Sequence, residues 1–91
     1  MSEIMSRVEV ENFNTWLAVH SSNSQNRRLY SIIDGPIYRD IDNPNAVLFH
    51  IHVGDLDQAI QWFRSEQFKD AAKRSTAIRR EFYLVERQQA P

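Results

Sequence analysis

The sequence predicts an α+β domain in which a four-stranded antiparallel sheet carries two helices on one face. Two patterns within residues 38–63 predict it. Residues 46–53 alternate between apolar and other side chains, as in a strand with one buried face. Residues 56–63 then place apolar side chains at i, i+3, i+4 and i+7, which is the spacing of one helical face. With a hairpin turn before this strand and a helix directly after it, helices and sheet are expected to pack as separate layers.

A first strand and a first helix are predicted in residues 4–20. The strand has an apolar side with Ile4, Val8 and Val10, and a charged side with Arg7 and Glu9. Asn12 can cap the helix, because its side-chain oxygen can accept a hydrogen bond from a free backbone N–H. One helical face then carries Phe13, Trp16, Leu17 and His20. The polar residues 21–26 predict a short loop or a fraying last turn.

A second strand and a hairpin turn are predicted in residues 28–45. The apolar run of residues 28–39 is interrupted by Gly35 and Pro36, which indicates a bulge or an edge strand, because proline cannot donate a ladder hydrogen bond. Residues 40–45 combine aspartate, asparagine and proline, which are typical of turns. Asp40 and Asp42 also suggest calcium ligands, but the glycine and the terminal glutamate of an EF-hand loop are missing. We therefore assign both aspartates to the turn.

The third and fourth strands differ in the character of their two sides. In residues 46–53 the side facing the helices holds Val47, Phe49, Ile51 and Val53, and the other side holds Leu48, His50 and His52. Residues 78–87 predict the last strand, with Phe82 and Leu84 on one side and Tyr83 and Val85 on the other. Because both of its sides are partly apolar, we expect the second side to meet another subunit. Residues 88–91 predict a loose tail.

The second helix is predicted between these two strands. Gly54 ends the strand, and Asp55 with Gln58 has the form of a capping box. The expected core face of the helix carries Leu56, Ala59, Ile60 and Phe63. Ser65 offers a second N-cap, so we expect the helix to break or kink close to it. Residues 73–74 are basic and suit a helix C-terminus. Both tryptophans, Trp16 and Trp62, are expected in or near the core.

Length and charge limit what the protein can be. A chain of 91 residues is expected to form one domain, residues 1–91. Its 11 Lys and Arg nearly balance its 12 Asp and Glu, so no net field attracts nucleic acid or an anionic membrane. The sequence has no cysteine, no apolar run of membrane-spanning length and no N-terminal leader pattern. We therefore expect a cytoplasmic protein with no nucleic-acid partner and no membrane partner.

The predicted order β-α-β-β-α-β is the split βαβ arrangement of ferredoxin-like domains. Five segments follow one another along the chain: Phe13 with Trp16, YRDIDNPNAV, GDLDQA, SEQF and FYLVE. In their spacing, the chain resembles small dimeric α+β barrel proteins of the antibiotic-biosynthesis-monooxygenase-like superfamily over nearly its whole length. The resemblance implies a homodimer whose sheets meet face to face, with a cleft between sheet and helices or between the sheets. Such proteins include cofactor-independent oxygenases, haem-degrading enzymes and cyclases, and share no catalytic motif. The commoner pattern has acidic or apolar residues where this chain has His50 and His52.

His50 and His52 are the candidates for chemistry, because residues two apart on a strand project from one face about 6.5 to 7 Å apart. Either imidazole could act as a general base near neutral pH, and both also suit polar positions in an interface. A metal site needs a third ligand, for which only Glu9 and His20 are guesses, so we predict no metal and no cofactor. The candidate ligand-binding residues are His50, His52, Arg7, Glu9 and Tyr83. Surface ion pairs are the preferred explanation of the charged ones.

Three functions are compatible with these features. The first is a homodimer that binds a small organic ligand, between sheet and helices or at the dimer interface, without assignable catalysis. The second is a cofactor-independent monooxygenase, or an isomerase or cyclase, that acts on an aromatic or polyketide-like substrate with His50 or His52 as base. The third is a stress-response or scaffold dimer without a ligand. RNA-recognition domains share the order of elements, but they present aromatic residues on the open face in a basic, glycine-bearing motif that this chain lacks.

Overall fold

The computed structural model describes residues 2–90, which form a four-stranded antiparallel sheet with helices packed on one face. The elements in chain order are β1 (Ser2–Val10), α1 (Phe13–Ser22), α2 (Ser24–Leu29), β2 (Ile32–Arg39), β3 (Ala46–Val53), α3 (Leu56–Arg64), α4 (Glu66–Arg74) and β4 (Ala77–Val85). The strand order is β2-β3-β1-β4, so β3 and β1 are central and β2 and β4 are edges. This is the ferredoxin-like order, and it confirms the predicted fold class.

The second predicted helix is divided into α3 and α4, as the second cap indicated. Ser65 separates the two helices, and its Oγ accepts a hydrogen bond of 3.1 Å from the backbone N–H of Phe68. At the start of α3, the carboxylate of Asp55 accepts a hydrogen bond of 3.1 Å from the N–H of Gln58. Both N-caps are thus confirmed, and the side-chain oxygens satisfy N–H groups that have no partner within the helix.

The first predicted helix is also followed by a second one, which the sequence did not indicate. α2 occupies residues that were predicted as a loop and as the beginning of strand two, so both predictions were wrong there. Two side chains tie α2 to α1: Asn23 donates a hydrogen bond to the carbonyl of Val19, and Arg27 donates one to the carbonyl of His20. These contacts compensate for the weak helix propensity of a run rich in serine and asparagine.

Alternation along the strands separates an inner face, which meets the helices, from an outer face. The inner residues of the two central strands are buried: Ile4, Ser6, Val8, Val10, Val47, Phe49, Ile51 and Val53. Trp16 and Trp62 are 4% and 2% exposed, which confirms their place in the core. Ile60 was expected in the core, but it is 36% exposed because the buried side of α3 is centred on Ala59 and Trp62.

The edge strand β2 carries the predicted irregularity. Its pairing with β3 shifts register between Asp34 and Ile37, so the bulge at Gly35 and Pro36 is confirmed. The predicted turn chemistry is also present, because the carboxylate of Asp40 accepts a hydrogen bond of 2.8 Å from the backbone N–H of Asp42. At the other edge β4 ends two residues earlier than predicted, and residues 86–90 are exposed without regular structure. The last residue of the predicted tail, Pro91, lies outside the described residues.

None of the helices within residues 2–90 combines the length and the apolar character that a bilayer crossing requires.

Candidate functional site

A chamber of about 60 Å³ lies between the helices and the inner face of the sheet. Its wall is largely aromatic, with Trp16, Phe49, Trp62, Phe63, Phe68 and Phe82. The polar side chains that line it are His20, Asn23, Arg27, Ser75 and Arg80. Phe82 and Arg80 are exposed residues of the edge strand β4, so the chamber opens to solvent along that edge.

His20 reaches the chamber from α1. Its ring stacks on Trp16, with 4.7 Å between the centroids, and lies 5.0 Å from the ring of Phe49. Burial, together with the positive charge of Arg27, lowers the pKa of His20 to about 4, and the carboxylate of Asp34 only partly opposes this shift. The imidazole is therefore neutral at pH 7. A neutral imidazole carries one hydrogen-bond donor and one acceptor, so it can bind either kind of polar group on a ligand.

Arg27 lines the chamber as well, but its charge is already neutralised. The side chain is buried, and its Nε and Nη2 atoms donate hydrogen bonds of 2.7 and 2.8 Å to the two carboxylate oxygens of Asp34. Burial by itself raises the pKa of Asp34, but the hydrogen bonds and charge of Arg27 outweigh it and hold that pKa below its ordinary value. The pair thus fixes α2 on β2 and leaves no free charge for a ligand.

Arg80 is a chamber cation of a different kind. Its guanidinium carbon lies 5.0 Å from the centroid of the Phe68 ring, a distance at which a cation and an aromatic face attract each other. Within residues 2–90 no carboxylate comes within 4.0 Å of its guanidinium. Burial lowers the pKa of Arg80, yet a guanidinium stays charged at neutral pH. The chamber therefore offers an unneutralised positive charge beside aromatic rings.

All the predicted ligand-binding residues lie on the outer face, on the opposite side of the sheet from the chamber. They form two groups there. In the first, the rings of His50 and His52 are adjacent, with 4.7 Å between their centroids. In the second, Arg7 donates a hydrogen bond of 2.8 Å to Glu9, and the hydroxyl of Tyr83 donates one to the carboxylate of Glu81. The ion pair of Arg7 and Glu9 agrees with the preferred explanation of these charges.

Glu3, which the sequence did not single out, joins the two histidines. Its carboxylate oxygens lie 3.5 Å from Nε2 of His50 and 3.5 Å from Nδ1 of His52. The two residues guessed as a third metal ligand are elsewhere. Glu9 lies opposite Ala46, toward the other end of β1, and His20 lies on the inner side of the sheet. Both guesses were therefore wrong, and within residues 2–90 the group that could hold a metal ion is Glu3, His50 and His52.

Two of the residues that were not predicted at their observed sites do carry a local signal. Arg80 lies two residues before Phe82, so strand alternation alone places both side chains on one face of β4. Asp34 is the single acidic residue of a largely apolar strand, and a charge in that setting calls for a partner. The partner, Arg27, and the position of Glu3 beside His52 depend on how distant segments pair, which no short pattern contains.

The comparisons with known proteins agree on the fold. No family model and no curated protein matches this chain. SnoaB, a cofactor-independent oxygenase from Streptomyces nogalater solved as a point mutant, matches with a TM-score of 0.75 and 15% identity, over 98% of this chain and 94% of that one. An antibiotic biosynthesis monooxygenase matches with a TM-score of 0.73 and 10% identity, over 98% and 100%. A conserved protein from Methanosarcina mazei matches with a TM-score of 0.70 and 17% identity, over 96% and 92%.

These matches cover nearly the whole chain and confirm that it has the ferredoxin-like fold of antibiotic-biosynthesis-monooxygenase-like structures.

Proposed function

We propose that this protein binds a small, planar, acidic organic molecule in the chamber between its helices and its sheet. The observation that carries the proposal is Arg80, a cation at an aromatic-lined opening with no carboxylate partner within residues 2–90. An anionic ligand can pair with this guanidinium, and the aromatic ring beside it reduces its contact with water and so strengthens the attraction. The positive charge therefore calls for an acidic ligand, and the flat apolar walls call for a planar one.

The chamber also limits the size of the ligand. A volume of about 60 Å³ holds several water molecules, since each needs roughly 10–15 Å³ on the same measure. One ring therefore fits inside, and further groups extend through the opening at β4. Trp16 and Trp62 would contact the ring, and His20 would bind a polar substituent. Apolar walls with a few oriented polar groups are the usual composition of a small-molecule site.

The proposal is tested by NMR titration with 4-hydroxybenzoate and its neutral analogue 4-hydroxybenzamide, following the indole N–H signals of Trp16 and Trp62. We expect the carboxylate to bind at least tenfold more tightly than the amide. Arg80→Gln should remove this difference. Arg79→Gln is the matched control, because Arg79 is the neighbouring residue of β4 but lies opposite Glu9 on the outer face, so the preference should persist.

Two results would contradict the proposal. Indole signals that do not move at millimolar ligand would exclude the chamber as a site for such molecules. Equal effects of Arg80→Gln and Arg79→Gln would show that general surface charge, and not the chamber cation, determines the preference.

A second function, a cofactor-independent oxygenase, is supported by the same cation and by the fold shared with oxygenases. Arg80 could stabilise the enolate of an acidic CH₂ compound, and an electron-rich enolate can react with O₂ directly. The CH₂ group becomes C=O, one oxygen atom enters the product and the other leaves as water, so the substrate supplies all four electrons. His20 is too weakly basic, with a pKa of about 4, to deprotonate an unactivated substrate. The substrate must therefore ionise easily by itself.

The oxygenase function is tested by oxygen consumption with 1,3-indandione, an acidic planar diketone whose product would be the 1,2,3-trione and water. We expect turnover above the protein-free rate, lost in Arg80→Gln and kept in Arg79→Gln and in the double variant His50→Phe/His52→Phe. Consumption that equals the protein-free rate would leave ligand binding as the function. Loss of turnover in the histidine double variant would show that the reaction depends on His50 or His52 on the outer face, and not on the chamber.

We also infer that the outer face is covered by a second copy of the chain. Large apolar side chains are exposed on that face of the single chain: Met5 at 42%, Ile33 at 49%, Tyr38 at 59% and Tyr83 at 51%. They come from three of the four strands, and they lie among both acidic and basic residues. A face of this composition can pair with itself, since each charge can find an opposite charge across a two-fold axis.

A further inference from the structure

We propose that Glu3, His50 and His52 form a binding site for a divalent transition-metal ion on the outer face of the sheet. One ligand atom from each residue is available, and these atoms all lie within 4.8 Å of one another. The inference is independent of the ligand proposed for the chamber, because the two sites lie on opposite sides of the sheet.

The strand register creates this cluster. Glu3 of β1 is directly opposite His52 of β3, and His50 projects from the same face of β3 two residues earlier. Directly paired residues have neighbouring side chains, so one carboxylate can reach two imidazoles. The three side chains belong to the two central strands, which hold their backbones in place. Rigid strands are a better support for metal ligands than loops are.

The distances favour a shared ion over simple hydrogen bonds. A carboxylate that pairs with an imidazolium normally lies about 2.7–2.9 Å from the nitrogen. In Glu3, one carboxylate oxygen lies 3.5 Å from Nε2 of His50 and the other lies 3.5 Å from Nδ1 of His52, so neither makes a strong hydrogen bond. Zinc bonds of about 2.0–2.2 Å at tetrahedral angles separate neighbouring ligand atoms by roughly 3.3–3.5 Å. Each of the two nitrogen–oxygen separations has this value, and small rotations of the carboxylate and the imidazoles would bring one oxygen and two nitrogens around a single ion.

The surroundings suit a cation as well. The strand neighbours of the cluster are Ile33 opposite His52 and Val85 opposite Glu3, and neither carries a charge. Gly35 of β2 lies against His50 of β3, and because glycine has no side chain it leaves one side of that imidazole uncovered. The three ligand side chains are 19–33% exposed in the single chain, so an ion can reach them before two outer faces pair. Apolar neighbours strengthen the attraction between the carboxylate and the ion by excluding water.

The donor set indicates the class of ion. Two imidazoles and one carboxylate suit Zn²⁺, Co²⁺, Ni²⁺ and Fe²⁺, whereas Ca²⁺ and Mg²⁺ prefer oxygen ligands throughout. Three protein ligands leave at least one coordination position for water or another molecule.

The test is calorimetric titration of the metal-free protein with Zn²⁺. We expect one ion per chain, at least tenfold weaker binding in Glu3→Gln, and a similar loss in His52→Gln. Glu9→Gln is the matched control: it makes the same change on the same strand and face, but Glu9 lies beside Arg7 and far from the histidines. Its affinity for Zn²⁺ should equal that of the unaltered protein.

A second measurement avoids any effect of substitutions on folding. Unaltered protein is titrated with Co²⁺, whose visible absorption is intense in four- or five-coordinate sites and faint when the ion is hydrated. We expect an intense spectrum that saturates at one ion per chain and is reversed by Zn²⁺. The spectrum of hydrated Co²⁺, or equal losses of Zn²⁺ affinity in Glu3→Gln and Glu9→Gln, would overturn the proposal.

Discussion

Arg27 and Asp34 face each other across the junction of α2 and β2 with two parallel hydrogen bonds of 2.7 and 2.8 Å. The arginine is 5% exposed and makes a third bond to the carbonyl of His20. This one ion pair therefore joins the end of α1, the whole of α2 and the edge strand. A guanidinium buried to this extent destabilises the fold unless a carboxylate pairs with it.

Removing the charge of Asp34 should therefore destabilise the protein more than removing a surface charge. We expect Asp34→Asn to lower the free energy of unfolding by about 3 kcal/mol, because Arg27 is left buried with an unpaired charge. Urea unfolding followed by circular dichroism gives the value. Asp70→Asn is the control, since the exposed pair of Asp70 and Arg74 should contribute less than about 1 kcal/mol. Equal losses in the two variants would contradict the structural role of Arg27.

His20 should make the protein less stable in mild acid. Its pKa is about 4 in the folded state against an ordinary value of 6.5, so the folded state takes up fewer protons between these values. The contribution of neutral His20 is complete above pH 6.5 and is lost progressively as the pH falls toward 4, by about 3 kcal/mol in total. Carboxylates titrate in the same region, so the variant His20→Phe is measured beside the unaltered protein. The difference between their unfolding free energies should change with pH in this window, and a constant difference would contradict the burial of the imidazole.

Gly35 should tolerate no larger residue. A Cβ at this position would overlap the backbone oxygen of His50 and lie 3.2 Å from its carbonyl carbon. Relieving this overlap would require one of the two paired strands to shift its backbone, which costs free energy. We expect Gly35→Ala to cost about 2 kcal/mol in unfolding free energy. Gly54→Ala is the matched control, because the nearest atom to its new Cβ would be 3.7 Å away, at ordinary contact distance. A loss in Gly54→Ala as large as in Gly35→Ala would show that glycine flexibility, and not the close approach to His50, is what matters.

Pairing of outer faces predicts that one added charge there separates the subunits. Sedimentation equilibrium at micromolar concentration should give twice the chain mass of 10.7 kDa for the unaltered protein. Tyr83→Lys should shift the mass toward one chain, because it replaces an apolar contact of the paired faces with a charge that would have to lose water. Leu84→Lys adds the same charge at the next residue, which is 61% exposed but points to the other side of β4, and it should remain dimeric. A monomer in the unaltered protein would exclude the pairing.

Much of the architecture follows from patterns within a few residues. The alternation of β3, the N-caps Asn12, Asp55 and Ser65, and the bulge at Gly35 are all present where the sequence predicts them. Each depends on side chains within about four positions of one another, since strand faces repeat every second residue and caps act on the next turn. Predictions from neighbouring residues are wrong where tertiary contacts outweigh local preferences. The polar residues of α2 are helical because Arg27 reaches Asp34, and no propensity indicates that contact.

The sequence by itself determined the order of the strands, the buried sides of the central strands and the absence of cysteine chemistry, because these depend on composition and short-range periodicity. The tertiary structure alone decided which side chains share a site. Glu3 and His52 are 49 positions apart and become neighbours only through the register of β1 on β3, and Arg80 reaches the aromatic chamber only when β4 pairs with β1 at the edge of the sheet. Register and helix docking are set by the whole core at once, so the site they create has no signature in any one segment.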